Sequence, residues 1–387
     1  MQTQPPPENS SPLPIREKPK GWLYLSFLLL ISAALIIIFT KSYRDNREVG
    51  IIFPISESSH SQIMETTYLL DHTDFSSAET NPDFTYIEQT ETTAASKIEE
   101  SGTPVISSQL REKARIQLSE DIKKLLDEEL GRYGVYYLNL ENGESIELFA
   151  EEPFVAASSI KLAYNTCLYQ EALAGQFSLN EKMAYNAKKY PGGDYEDGTG
   201  EIQYKANGTK FTLSEISHLS IYISDNCAAN MILRKLGGIE SVNENYLLPI
   251  SNIVSYRDTV RYKNYKGQSL SGKNRTSAMD LALYAKNLYD LYQENKEGYL
   301  PLINELSKST YEWGISDIET NYGDPVLICH KVGFNWKYFT NNDAGIIFGA
   351  EDYVLAVMTE NNHAANAQLM IGQVSQMIYD YIQIYAG

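Results

Sequence analysis

The sequence is poor in the residues that build disulfides and metal sites. Its 387 residues include three cysteines and five histidines. Cys167, Cys227 and Cys329 stand far apart with no Cys-x-x-Cys pair, which excludes a disulfide scaffold and a cysteine-type zinc site. Each has an apolar residue beside it, so they read as small buried hydrophobes. His60, His72, His218, His330 and His363 form neither His-x-His nor His-Glu-x-x-His, which argues against a zinc hydrolase. His330 reads as a packed strand residue. No Gly-Lys-Ser/Thr phosphate loop is present, and Gly267 to Ser271 fails the last position of Gly-x-Ser-x-Gly. Basic residues are also scarce: 32 Lys and Arg stand against 50 Asp and Glu, a formal charge of -18. That balance argues against a nucleic-acid binder, which needs a basic face to replace phosphate counterions, and against electrostatic docking on an anionic membrane surface.

Long hydrophobic runs are lacking too, with one exception. Gly21 to Thr40 carries no charge. As a helix it would span roughly 30 Å, the thickness of a hydrocarbon core. Trp22 and Tyr24 sit where interfacial aromatics belong. No small-x-small cleavage site follows at Phe39-Thr40-Lys41. The expectation is a single-pass signal-anchor over 21–40, a short cytoplasmic tail over 1–20, and the bulk of the chain on the cell-wall side of the membrane. Residues 41–105 read as an acidic disordered spacer. Within 51–100, Lys97 is the one basic group against ten acidic ones, and no period of 2 or 3.6 is sustained.

Residues 106–387 read as globular. Leu110, Ile116, Leu118, Ile122, Leu125, Leu126 and Leu130 recur at helical spacing. Tyr133–Leu140 and Ser145–Ala150 alternate like strands across Asn142-Gly143, a hairpin signal. Helices are expected near 158–175, 213–237 and 276–293. Strands are expected at Ala344–Gly349 and Tyr353–Thr359, and a last helix near 364–384. Strands at both ends with helices between imply an α+β fold. In it, an antiparallel sheet of N- and C-terminal strands is flanked by helices and carries an inserted all-helical subdomain.

One stretch carries chemistry. Phe154 to Tyr169 has Lys161 as its only charge. Ser158 and Lys161 are three apart and share a helix face. Burial lowers a lysine pKa and frees its amine as a base, and a neighbouring serine hydroxyl then becomes a nucleophile. Taken alone, Ser-x-x-Lys is weak. Ser224-Asp225-Asn226 and Lys331-Val332-Gly333 follow it in order.

Ser-x-x-Lys, Ser-Asp-Asn and Lys-x-Gly in this order resemble the motif set of class A serine β-lactamases and penicillin-binding proteins. The flanking text agrees: AASSIKL, SDNCAANMILRKLGG, NRTSAMDLALYAKNLY and NDAGIIFGAEDYVLAVMTE are similar to that family. The resemblance covers about 131–387. It implies that Ser158 attacks an acyl carbonyl, Lys161 takes or relays its proton, Ser224 carries the proton to the leaving nitrogen, and Lys331 holds that network. It implies that Asn226 binds the substrate amide, and that Asp225 holds the loop from below. The backbone N–H groups of Ser158 and Phe334 would form the oxyanion hole beside Gly333. No cofactor or metal is implied. The partner would be a β-lactam or a peptidoglycan stem peptide, and Lys161 with Lys331 would make the site locally positive.

Two departures stand out. Val332 replaces the usual hydroxyl residue of Lys-Thr-Gly, which removes a hydrogen bond to a substrate carboxylate worth roughly 1.5–3 kcal/mol. Asn335 or Lys337 is the candidate substitute. Between Glu244 and Glu294 there is no Glu. Aligning Asn264 with the Asn of the family's Glu-x-x-x-Asn pattern puts Val260 where the deacylating Glu belongs, and Asp258 is the nearest acid. The expectation is an acyl hydrolase whose acyl-enzyme turns over slowly. Two alternatives stand: a non-hydrolytic, membrane-tethered binding module of the same fold, and a DD-peptidase.

Overall fold

Leu118, Ile122 and Leu126 recur every four residues and are the buried positions of the first helix, α1 (Ser108–Glu129). The computed structural model describes residues 108–129, 131–311, 313–320 and 326–386. The expected membrane span at 21–40 and the spacer lie outside the described residues. Among the described residues, no helix is long and apolar enough to cross a membrane.

After α1 the chain forms the hairpin β1 (Arg132–Asn139) and β2 (Ser145–Leu148). Gly143, at φ 77°, supplies the left-handed residue of its turn, as Asn-Gly predicts. The second strand stops two residues before the expected end, because Phe149 turns the chain at φ 47°. Short ladders follow: β3 (Phe154–Val155), β4 (Lys182–Ala184), β5 (Lys210–Thr212), β6 (Val260–Lys263), β7 (Ser269–Gly272) and β8 (Arg275–Thr276). The last three strands are β9 (Leu327–Asn335), β10 (Thr340–Phe348) and β11 (Tyr353–Glu360). The main sheet runs β2-β1-β11-β10-β9, antiparallel throughout. First and last segments thus pair side by side, as expected.

Period-2 alternation divides β11 between two cores. Tyr353, Leu355 and Val357 pack with α1 and with the final helix α7 (Ala364–Tyr385), through Ile371, Val374 and Ile378. Val354, Ala356 and Met358 pack on the opposite face, against the helical part. That part includes α2 (Lys161–Leu173), α3 (Leu213–Tyr222), α4 (Asn226–Lys235), α5 (Ala278–Glu294) and α6 (Lys296–Leu306).

The single helix expected over 213–237 is two. Ser224 adopts φ 58°, which no helix accommodates. Asp225 then caps α4, its side chain accepting from Ala228 N at 2.9 Å. The motif serine therefore sits in the break between two helices. Helix α6 and the β6–β7 hairpin were not anticipated.

Candidate active site

Ser158 lies in a 3-10 turn, Ala157–Ile160, that leads directly into α2. Ala157, just before it, has φ 49°, a left-handed conformation that costs an L-residue about 1–2 kcal/mol. The turn is held from three sides. Asn342 on β10 donates to the carbonyls of Val155 (2.8 Å) and Ala156 (3.1 Å). Ala156 N donates to Asn274 O at 3.3 Å, continuing the β3–β8 ladder. Ser159, fully buried, donates its hydroxyl to Ala156 O at 2.6 Å. Its neighbour Ser158 lines a cleft of about 830 Å³.

Lys161 is 5% exposed. Its Nζ donates to Ser224 O (2.6 Å), Asn226 Oδ1 (2.8 Å) and Ser224 Oγ (3.3 Å). Burial, then the nearby Lys331 charge, lowers its pKa to about 7, while Asp225 and Glu196 oppose the shift. The amine form is thus populated near neutral pH.

Ser224 is buried behind the cleft wall and touches it through Lys161. Thr199 Oγ1 also donates to Ser224 O, at 2.6 Å. The Asp225 carboxylate accepts three backbone N–H groups, from Glu201 (2.6 Å), Ile202 (2.8 Å) and Ala228. It is fully buried and locks the 198–202 loop to α4, the position expected of it. A Cβ on Gly200, at φ 108°, would stand 2.2 Å from its Cγ. Asn226 lines the cleft and also donates to Asp197 O at 3.1 Å.

Lys331 is fully buried on β9, the edge strand, with its Nζ donating to Val332 O at 3.0 Å. The Tyr311 ring lies 5.6 Å away. Burial lowers its pKa to about 8, and Asp343 opposes the shift. It therefore influences Lys161 by charge. Gly333 makes the closest approach between strand and turn: a Cβ there would stand 2.5 Å from Ser159 N and 2.9 Å from Ser158 N. Phe334 lines the cleft, in an aromatic row with Tyr311 and Trp336, each 5.8 Å from its ring.

Val332 is buried and does not line the cleft, whereas Asn335 and Lys337 do. His330 is buried and bonds Asp343 at 2.8 Å, away from the cleft, as a packed strand residue. The three cysteines are free and buried. The cleft wall is basic, with Lys161, Arg257, Lys273, Arg275 and Lys337 facing two acids, Glu196 and Asp197. Asp258 and Val260 are absent from its lining. The loop residues Glu196 and Thr199, and Asn230 on α4, went unnoticed in the sequence. Asn230 had a visible signal, since it lies four residues after Asn226 and so on the same helix face.

A serine and a buried lysine at a helix start, a second serine in the facing helix break, and a lysine on the sheet edge define a class. It is the class of serine β-lactamase-like hydrolases and penicillin-binding proteins. The chain belongs to the beta-lactamase enzyme family, whose sequence model matches residues 117–382. An "Imipenem-hydrolyzing beta-lactamase" of Enterobacter cloacae is 25% identical over 276 residues, covering 68% of this chain and 89% of that protein. "Beta-lactamase 3" of Bacillus cereus is 31% identical over 247 residues, covering 62% of this chain and 72% of that protein. Solved structures of this class share the fold. PBP-A superposes with a TM-score of 0.58 at 23% identity, over 69% of this chain and 96% of that one. A beta-lactamase from Sphaerobacter thermophilus gives 0.55 at 21% identity, over 69% and 97%.

Proposed function

We propose that this protein forms a covalent acyl-enzyme on Ser158 with β-lactams or with D-Ala-terminated cell-wall peptides, and that it hydrolyses the ester slowly. The observation that carries the reading is the placement of Lys161: buried, one helical turn after Ser158, with its pKa brought to about 7. A lysine at that value serves as a base at neutral pH.

In this reading the Lys161 amine takes the Ser158 proton as Oγ bonds the carbonyl carbon. The oxyanion is met by the backbone N–H groups of Ser158 and Phe334. As the carbon–nitrogen bond breaks, Ser224 passes a proton to the leaving nitrogen, and Lys161 and Lys331 supply the positive field. Asn226 receives the substrate amide. Lys337 and Asn335 take the substrate carboxylate in place of a hydroxyl at Val332. Slow deacylation follows from Asp258 and Val260 standing outside the cleft. One PBP-A variant is described as an acyl-enzyme complex with penicillin G, which supports the chemistry by likeness of fold. The uncharged run at 21–40 supports tethering to the membrane, with the domain on the cell-wall side.

Incubation of the full chain with a fluorescent penicillin, followed by mass spectrometry, tests the reading. A single adduct on the Ser158 peptide is expected, absent in Ser158→Ala. No adduct on the wild type, or one that survives Ser158→Ala, sinks it and leaves a non-hydrolytic binding module.

A further inference from the structure

Helix α4 presents two asparagines to the cleft, Asn226 and Asn230, four residues and one turn apart. At one end Asn226 Oδ1 accepts from Lys161 Nζ at 2.8 Å. At the other, Asn230 Nδ2 donates to Glu196 Oε2 at 2.9 Å. Asn230 is 5% exposed, so its amide is committed to this contact and to Asp194 O at 3.3 Å. Glu196 lines the cleft, and the two asparagines that make these contacts are about 6 Å apart along the helix. The Glu196 charge is felt at Lys161.

The loop that carries it is fixed. Glu196 N donates to Cys227 Sγ at 3.5 Å, and the Cys227 thiol donates back to Glu196 O at 3.5 Å. Two residues earlier, the buried Asp194 pairs with Arg234 Nε at 2.7 Å. Glu196 and Asp197 are the two acids of the cleft wall, and Glu196 is the one whose carboxylate α4 holds.

We propose that Glu196 is the base that activates water against the Ser158 acyl-enzyme. This rests on the acyl-enzyme reading above and assigns its slow hydrolytic half. The carboxylate takes one proton from water as the water oxygen bonds the ester carbon. The tetrahedral intermediate then collapses with cleavage of the carbon–Oγ bond. The proton passes to Ser158 Oγ, the acid product leaves, and Glu196 is a carboxylate again. Held by a single amide rather than by an ion pair, the carboxylate keeps an oxygen for the water. Because the water enters from the α4 side, no carboxylate is required from the 258–264 segment.

The test is the decay of the isolated acyl-enzyme. The full chain is acylated with a penicillin, excess drug is removed, and the adduct is followed by intact mass between about pH 5 and 8. Glu196→Gln keeps an oxygen acceptor for Asn230 but cannot take a proton. It is expected to lengthen the adduct half-life at least tenfold across that range. The adduct should still form in this variant, and its decay is compared with wild type from the isolated acyl-enzyme. Glu196→Asp, which retains a carboxylate, is expected to recover part of the decay. An unchanged half-life in Glu196→Gln overturns the proposal. So does a wild-type adduct that never decays, which leaves acylation intact. Absence of any wild-type adduct overturns the acyl-enzyme reading along with it.

Discussion

Lys161 donates to both the carbonyl oxygen and the hydroxyl of Ser224, at 2.6 and 3.3 Å. The carbonyl is reachable because Ser224 takes φ 58° in the break between α3 and α4. Backbone strain at one serine therefore aims a backbone acceptor at the lysine, and the lysine then orients the serine hydroxyl. Two motifs that lie far apart in sequence meet at one lysine nitrogen. The strain is held in place from behind by the three N–H bonds to the Asp225 carboxylate.

The first prediction concerns pH. In the proposed reading the free amine of Lys161 is the base, and it predominates above about pH 7. Lys331 must remain charged, and it loses its proton above about pH 8. Acylation by a penicillin should rise through pH 7, peak between the two values and fall on the alkaline side. Lys161→Met should lower the rate by about 10²–10⁴ and remove the acid limb. Stopped-flow acylation across pH 5.5–9.5 checks this, and an acid limb that survives in Lys161→Met contradicts it.

A second prediction follows from the contact between strand and turn. A Cβ on Gly333 would stand 2.5 Å from Ser159 N and 2.9 Å from Ala156 O, both backbone atoms that cannot swing aside. Gly333→Ala should push β9 from the nucleophile turn. A loss of about 1–3 kcal/mol is expected from overpacking. Acylation should fall more than tenfold, because the Phe334 N–H, the proposed oxyanion donor, moves with the strand. Urea unfolding and acylation kinetics read the two effects separately, and normal acylation in this variant would refute the assigned oxyanion geometry.

Legibility in the sequence followed how locally each feature is encoded. Ser158 and Lys161 were visible because one helical turn fixes their relation. The sheet was visible because the alternation in 133–140, the apolar run in 353–359 and Asn142-Gly143 are local signals. The break at Ser224 was not, because the apolar spacing runs on through it; the φ of one residue and the Asp225 cap decide it. Glu196 was hidden for another reason. It reaches the cleft through a loop whose path is set by Asp194, Arg234 and Cys227, contacts separated by thirty to forty residues. No periodicity encodes such a path. Val332 illustrates a third limit: the motif position was read correctly, but its burial depends on how β9 meets β10.

A third prediction tests the clamp. Asp225 is fully buried, and removing its carboxylate orphans the N–H groups of Glu201, Ile202 and Ala228. Each unsatisfied buried donor costs about 1–3 kcal/mol, with some relief from water. Asp225→Ala should therefore destabilise the domain by about 3 kcal/mol and free the 198–202 loop. Thermal unfolding gives the first effect and proteolysis within 198–202 the second. A melting temperature within a degree of wild type would show that the carboxylate is not structural.

The last prediction concerns substrate charge. Val332 carries no hydroxyl and lies outside the cleft lining, whereas Lys337 is exposed on the cleft rim beside Asn335. If Lys337 meets the substrate carboxylate, the contact is solvent-exposed, and its strength is modest and screened by salt. Lys337→Ala should weaken the initial binding of an anionic penicillin by about three- to tenfold, equivalent to about 0.7–1.4 kcal/mol. The limiting acylation rate should hold within about twofold, because Lys337 does not touch the reacting atoms. Raising ionic strength from about 0.05 to 0.5 M should erase most of the difference between variant and wild type, since the Debye length falls well below 10 Å. A penicillin esterified at its carboxylate should show no difference at any salt concentration. A Lys337→Ala defect that persists with the ester would place the role of Lys337 in packing the rim rather than in reading charge.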